Sequence, residues 1–195
     1  MLNTGIIPEN WTCGVIKPIF KNKECPNDPD NFRAITLIRC LWKLFTSILN
    51  NRLNICSNKL GIISENQKGF LKGYSTQDII FALHALIELY LSFGKKLFCT
   101  FFDFRKAFDT VWRRELWKKL QRSEIKGKSF KVIFNMYTGV KSCVQYNGGQ
   151  SDFFPCLTGV LQGENVQPFL FSIFLKDLED YFCQNNGDTT RKYKR

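Results

Sequence analysis

The run Leu97–Phe102 narrows what this chain can fold into more than any other feature. It reads Leu-Phe-Cys-Thr-Phe-Phe, with Lys95-Lys96 before it and Asp103 after it. A short apolar run rich in aromatics predicts a buried strand, here ending at a carboxylate. The segments around it alternate between extended and helical periods. Trp11–Phe20 mixes β-branched and aromatic residues. Lys21–Asp30 is polar and broken by Pro26 and Pro29, and Asn31–Leu37 is extended again, which together predict a hairpin. Over 38–56 the apolar residues Ile38, Leu41, Trp42, Phe45, Ile48, Leu49 and Leu53 recur at three- and four-residue steps, predicting a helix. Ser75 and Asp78 have capping-box spacing ahead of a second helix. Its apolar face runs from Ile79 to Leu91, and Gly94 is its stop. Helices are expected over most of 106–121 and 127–138. A hairpin turning at Asn147-Gly148-Gly149 is expected over 141–155, and a last helix from Pro168 to about Phe182. The fold class is therefore α+β, without internal repeats.

Charge points to the partner. The 195 residues carry a net +11, and for so basic a protein nucleic acid is the commonest anionic partner. Basic residues dominate 1–75 and 96–135, whereas 136–190 is net acidic. The tail 183–195 is polar, then basic, and is expected to be disordered. The eight cysteines include no C-x-x-C pair, and the single histidine, His84, lies in a helical pattern. That argues against a zinc site and against histidine-based nucleophilic catalysis. The cysteines are expected as free thiols, several of them buried. No apolar run approaches the roughly 18–20 residues of a membrane span, and the start lacks a leader pattern. The expected location is intracellular, nuclear or cytoplasmic, with no membrane.

Asp103 is the residue with the clearest chemical potential. A carboxylate at a strand end is rigidly held beside a cleft, where phosphoryl-transfer enzymes hold divalent metal. Taken alone, such an Asp is as readily a helix cap or a turn former. Phe101-Phe-Asp-Phe-Arg-Lys-Ala-Phe-Asp109 resembles motif A of the reverse transcriptases of non-LTR (LINE-type) retrotransposons, F-x-D-x-x-K-A-F-D. Gly14-Val-Ile-Lys-Pro-Ile-Phe-Lys21 and Asn31-Phe-Arg-Ala-Ile-Thr-Leu37 resemble the two fingers motifs of that family. Asn66-Gln-Lys-Gly-Phe-Leu-Lys-Gly-Tyr-Ser-Thr76 resembles its Q-x-G-F segment, and Gly159-Val-Leu-Gln-Gly-Glu-Asn-Val-Gln-Pro-Phe-Leu-Phe171 resembles motif B. The five stand in the family's order and cover roughly 8–182.

The resemblance implies a role for each matching residue. Asp103 is expected as the catalytic, metal-binding carboxylate, with the carbonyl of Phe104 as a second metal ligand. Arg33 and Lys106 are expected to hold the nucleotide, with Lys17 or Lys21, between which the spacing does not choose. Phe108 is expected to exclude a 2′-OH by bulk, and Gln162 to line the nucleotide pocket. Gln67, Lys68, Gly69, Lys72 and Gly73 are expected along the template backbone, where small residues permit close approach and lysines supply charge. Without the motifs, the lysines read as solvated side chains, Phe108 as core, and Asp109 as a cap or ion-pair partner. The implied cofactor is Mg2+ (or Mn2+) in the intact parent. The implied partners are an RNA template, a DNA primer and deoxynucleoside triphosphates.

Two departures temper the resemblance. No Asp-Asp occurs anywhere, so the motif C pair (F/Y-A-D-D) is missing and the family pattern is truncated before it. Leu161 and Gln167 replace the usual motif B residues. The resemblance implies the fingers and an incomplete palm of the right-hand polymerase fold, with the thumb absent. Residues 1–95 are expected as the fingers-like region, and 96–182 as incomplete palm with a fingers segment interleaved at about 116–155. The functional expectation is a fragment of an RNA-directed DNA polymerase, inactive alone. The alternative is a non-catalytic nucleic-acid-binding remnant of a degenerate element.

Overall fold

The structure is a computed structural model and describes residues 1–182 apart from 23, 24, 65 and 72. The basic tail expected to be disordered, with Cys183 and Asp188, lies outside the described residues, as does Lys72. Strand β1 (Cys13–Phe20) and β2 (Phe32–Leu37) form the expected hairpin, in register from Val15↔Leu37 to Phe20↔Phe32. On its other edge, β1 pairs in parallel with β3 (Lys141–Tyr146), from Cys13↔Lys141 to Ile16↔Val144. Strand β4 (Gly149–Gln150) returns from β3 through Asn147 and Gly148, both at positive φ (48° and 81°), as a tight hairpin requires. Strand β5 (Phe154–Pro155) also pairs with β3.

Helix α1 (Cys40–Leu60) outruns the expected segment by four residues because Gly61, at φ 58°, supplies the left-handed stop. Trp42, Phe45, Leu49 and Leu53 turn to the core, while Leu41 and Ile48 stay exposed. Helix α5 (Gln167–Phe174) packs on α1 and on α3 (Arg113–Arg122), which in turn packs on α4 (Gly127–Met136), around Leu116, Ile133 and Leu170. This single core draws on both sides of residue 95. The chain is thus a mixed α and β fold. No helix among the described residues is long and apolar enough to cross a membrane.

Five expectations require correction. Leu97–Phe102 is irregular and exposed, with Phe98 at 88% and Phe101 at 80%. A strand exists only when a neighbour completes its ladder, and no described segment pairs with this one. Helix α2 (Thr76–Ser92) forms behind the expected capping box, with Ser75 Oγ accepting from Gln77 N (3.1 Å) and Ser75 N donating to Asp78 Oδ2 (3.0 Å). Its apolar face, however, has no buried residue. The helix expected over 106–121 starts only at Arg113, because the Lys106 carbonyl accepts from Asp109 N and Thr110 N and closes a turn. The last helix breaks over 175–177 before a short helical turn at 178–182. Among the described cysteines, all free, only Cys143 is fully buried.

Two ionisable side chains, half-buried Arg113 and buried Glu164, organise the core. Arg113 donates to four main-chain carbonyls: Nε to Gly159 (2.8 Å), one amino nitrogen to Cys156 (2.7 Å) and Tyr137 (3.3 Å), and the other to Thr158 (3.1 Å). Its guanidinium also lies 5.0 Å from the Tyr137 ring centroid. Glu164 accepts from Trp42 Nε1 (3.0 Å) and from the Tyr137 hydroxyl (2.6 Å), tying α1 and α4 to the loop before α5. Burial pushes its carboxyl up to about 7, against the hydrogen bonds from Tyr137 and Trp42 and the nearby Arg113 charge. Tyr137, equally buried beside Glu164, is held well above the usual phenol range and remains a donor.

These two groups generate the first predictions. Arg113→Lys leaves several of the four carbonyls without a donor and should cost about 2–4 kcal/mol. This is read as a lower urea midpoint at unchanged slope, and an unmoved midpoint contradicts it. For Glu164 the folded carboxyl binds its proton more tightly than the unfolded one. Its stabilising contribution is complete below about 4.5, the ordinary value, and is lost as pH rises through about 7. Urea titrations across that window should show stability falling with pH in the parent chain. The fall should be largely absent in Glu164→Gln, which cannot ionise; equal slopes for the two proteins count against the assignment.

Candidate functional site

A cleft of about 1320 Å³ opens between the β1–β2 hairpin and the segment 103–109. The hairpin supplies Lys21 and Arg33, the segment supplies Asp103, Phe104, Lys106 and Phe108, and the loop before α5 supplies Gln162. Residues far apart in sequence thus meet in one place. Lys17 does not line the cleft. Its neighbours Ile16 and Pro18 do, and strand alternation turns Lys17 to the other face. The geometry therefore separates Lys21 from Lys17 where spacing alone does not.

Main-chain bonds fix the floor. Val160 N donates to Phe108 O (2.9 Å), Gly159 N to Val111 O (2.9 Å), and Thr36 N to Gln162 O (3.0 Å). Strand β2, the 103–111 segment and the 159–163 turn are stitched together at this point. Both glycines of the turn are needed. A Cβ at Gly159 (φ 76°) would lie 2.7 Å from Asp109 O, and one at Gly163 (φ 111°) would lie 2.7 Å from Thr36 O. The suture holds Gln162, half-buried, against the cleft.

Aromatic rings form the inner wall. Phe108 is half-buried, with its ring 4.9 Å from Phe171 and 6.2 Å from Phe70. Phe104 meets Phe171 edge-on at 6.3 Å. Phe108 therefore packs on the core and also faces the cleft. Asp103 stands exposed at the mouth. Asp109 is pushed up by burial, an effect opposed by the Lys106 charge.

The cleft also holds residues that sequence reading passes over. Asp30, at the hairpin tip, accepts from Lys106 Nζ (2.7 Å) and from Arg105. Those two partners, Lys106 first, hold its carboxyl below the ordinary range. Lys21 Nζ donates to the Asp30 carbonyl (2.9 Å). An aspartate beside prolines reads as a turn former, and nothing local links position 30 to position 106.

The residues expected along a template lie elsewhere. Gln67 Nε2 donates to Ser172 O (3.2 Å), docking its loop on α5. Lys68 Nζ lies 4.1 Å from the Tyr74 ring centroid. Gly69 and Gly73 are exposed, with open space where a Cβ would point. Among the described residues no three Asp, Glu, His or Cys side chains converge as a metal-binding group. The donors at the cleft mouth, the Asp103 carboxylate on an irregular segment and a neighbouring carbonyl, do not amount to a two-ion site, which takes several carboxylates.

The family model for reverse transcriptase (RNA-dependent DNA polymerase) matches residues 19–191. A probable RNA-directed DNA polymerase from transposon BS of Drosophila melanogaster is 29% identical over 181 residues, covering 91% of this chain and 20% of the relative. The RNA-directed DNA polymerase from mobile element jockey of the same organism is 28% identical over 183 residues, covering 91% and 19%. A Pol polyprotein from the type-1 retrotransposable element R2 of Popillia japonica is 29% identical over 179 residues, covering 89% and 24%. The chain spans about a fifth of the length of these curated relatives. By the extent of the family match and the kind of relatives it has, the chain belongs to the reverse transcriptase family, on the side of the non-LTR retrotransposons.

Proposed function

We propose that this chain is the nucleotide-binding part of a retrotransposon RNA-directed DNA polymerase. It comprises fingers (1–95) and palm (96–182, with fingers at about 116–155). The observation that carries the reading is the convergence of Arg33, Lys21, Phe108, Gln162 and Asp103 on one cleft. Arg33 offers a planar fork of donors suited to phosphate oxygens, and Lys21 a mobile point charge. Lys106 joins them once it leaves Asp30. Phe108, backed by Phe171, is a rigid ring beside the sugar position and excludes a 2′-OH. Gln162, fixed through its own carbonyl, presents its amide to the base pair.

Divalent metal, Mg2+ or Mn2+, supplies charge neutralisation at the reacting phosphate in the intact parent. Asp103 and the Phe104 carbonyl are its contributors here, and the described residues do not complete the set. Our reading is therefore that the chain binds nucleotide and nucleic acid but does not extend a primer alone. RNA template and DNA primer are the expected polymer partners, in nucleus or cytoplasm. The second reading, a binding module without catalysis, is favoured by the basic surface and shares the same residues.

Nucleotide titrations and primer extension test the proposal together. Arg33→Ala should weaken dTTP binding about tenfold, the loss of one charge-assisted contact. Phe108→Ala should narrow the preference for dTTP over UTP. Extension of oligo(dT) on poly(rA) should stay at background for the parent chain. Template-dependent incorporation abolished by Asp103→Ala would sink the claim of inactivity, and dTTP binding indifferent to Arg33 would sink the assignment of the cleft.

A further inference from the structure

We propose that Asp30 is a built-in competitor for the phosphate chain of the nucleotide, and that Arg105 joins Lys106 and Lys21 in receiving that chain. The inference rests on the polymerase reading above and deepens it. It adds a contact residue, Arg105, to which motif order gives no role, and a device that sets affinity.

The hairpin tip holds Asp30 by its main chain. Asp28 Oδ1 accepts from Asp30 N (2.9 Å), and the Asp30 carbonyl accepts from Lys21 Nζ (2.9 Å). The carboxylate takes no part in that support and reaches across the cleft. There Oδ1 accepts from Lys106 Nζ (2.7 Å) and Oδ2 from Arg105. On the far wall the main chain is equally fixed. Lys106 stands in the left-handed region at φ 49°, an uncommon conformation for a residue with a side chain. Its carbonyl closes a turn on Asp109 N (2.9 Å) and Thr110 N (3.1 Å). Two adjacent cations thus meet one carboxylate between two anchored walls. Of the ion pairs among the described residues, these two alone join the hairpin to the segment 103–109.

Chemistry names the group that competes with this carboxylate. A guanidinium and an amine gathered on oxygen acceptors are what phosphate recognition uses. Among the described residues, Arg105 gives Asp30 one amino nitrogen and Lys106 a single bond. Both keep donors for a group with more oxygens than a carboxylate has. Lys21, Asp30, Arg105 and Lys106 all line the cleft, together with Arg33 and Asp103. Asp30 therefore engages the cations that a phosphate chain entering the cleft would seek. The pairs are wet enough to exchange: the Arg105 side chain is 80% exposed, that of Lys106 47% and that of Asp30 43%. Ion pairs so exposed add little to folding. Their effect falls instead on the ligand, which must part Asp30 from both cations before it can bind them.

Calorimetric titration of the full chain with dTTP, inorganic triphosphate and thymidine provides the test. Asp30→Asn, and Asp30→Ala as a second way to remove the charge, should tighten dTTP and inorganic triphosphate about 3- to 10-fold. Thymidine, which has no phosphate, should gain nothing. Arg105→Ala should weaken inorganic triphosphate about tenfold in the Asp30→Asn background and only about two- to threefold in the parent chain. The smaller loss in the parent arises because the substitution also removes a contact that the ligand has to break. Unchanged or weaker triphosphate binding by both Asp30 variants, a gain shared by thymidine, or equal losses from Arg105→Ala in the two backgrounds overturns the competitor. Each of these leaves standing a cleft whose dTTP binding Arg33→Ala still weakens. Failure of the parent chain and of both Asp30 variants to bind dTTP overturns this inference and the polymerase reading together.

Discussion

One guanidinium holds the working end of this molecule in place. Arg113 sits at the first turn of α3 and collects the carbonyls of Tyr137, Cys156, Thr158 and Gly159. Those carbonyls belong to the end of α4 and to the stretch entering the 159–163 turn. Their lone pairs face inward with no strand to take them, so a forked cation is the side chain that can satisfy them together. With that stretch anchored, the turn reaches Phe108 and Val111 on one side and Thr36 on the other through main-chain bonds. The cleft's three walls are thus built on a shared support. Glu164 extends it by binding the same turn to Trp42 and Tyr137.

Local physics made much of this legible. The β1–β2 hairpin, the buried stripe of α1, the Ser75 cap and the Asn147-Gly148 turn each depend on residues a few positions apart, and each formed as the pattern implied save that Leu41 and Ile48 of the α1 stripe stay exposed. Motif order groups Arg33, Asp103, Phe108 and Gln162, and the structure brings these four to the lining of one cleft. What stayed hidden involves distant partners. Asp30 gains its meaning from Lys106, and Glu164 from Trp42 and Tyr137. Lys17 lies within β1, turned away from the cleft, whereas Lys21 lies just past the strand's end, where the chain borders the cleft. Leu97–Phe102 has the composition of a strand, but composition cannot supply the neighbour that a ladder needs.

That unpaired stretch and α2 together leave a broad apolar surface. Ile80, Phe81, Leu91 and Phe93 stand exposed on or beside α2, and Phe98, Phe101 and Phe102 continue the exposure toward Asp103. Contiguous apolar surface of this kind is unusual on an isolated soluble domain and is normally covered by another layer. Phe102 reaches one ring for itself, Phe182, at 5.3 Å. The carboxylate at the cleft mouth is therefore flanked by two ring contacts among the described residues, Phe102 on Phe182 before it and Phe104 on Phe171 after it.

The parallel pairing of β1 with β3 has a consequence for synthesis. Cys13 waits for Lys141 before its outer ladder closes, and the residues between must first leave the ribosome. At ordinary elongation rates of about 5–20 residues per second, that interval is about 6 to 26 s. Through it the hairpin presents one edge unpaired and Trp11 and Trp42 without the rest of their core. A folding route with so late a closing contact is slow by topology. The yield of native chain is therefore governed by what shields the first hairpin during translation as much as by the final stability of the fold.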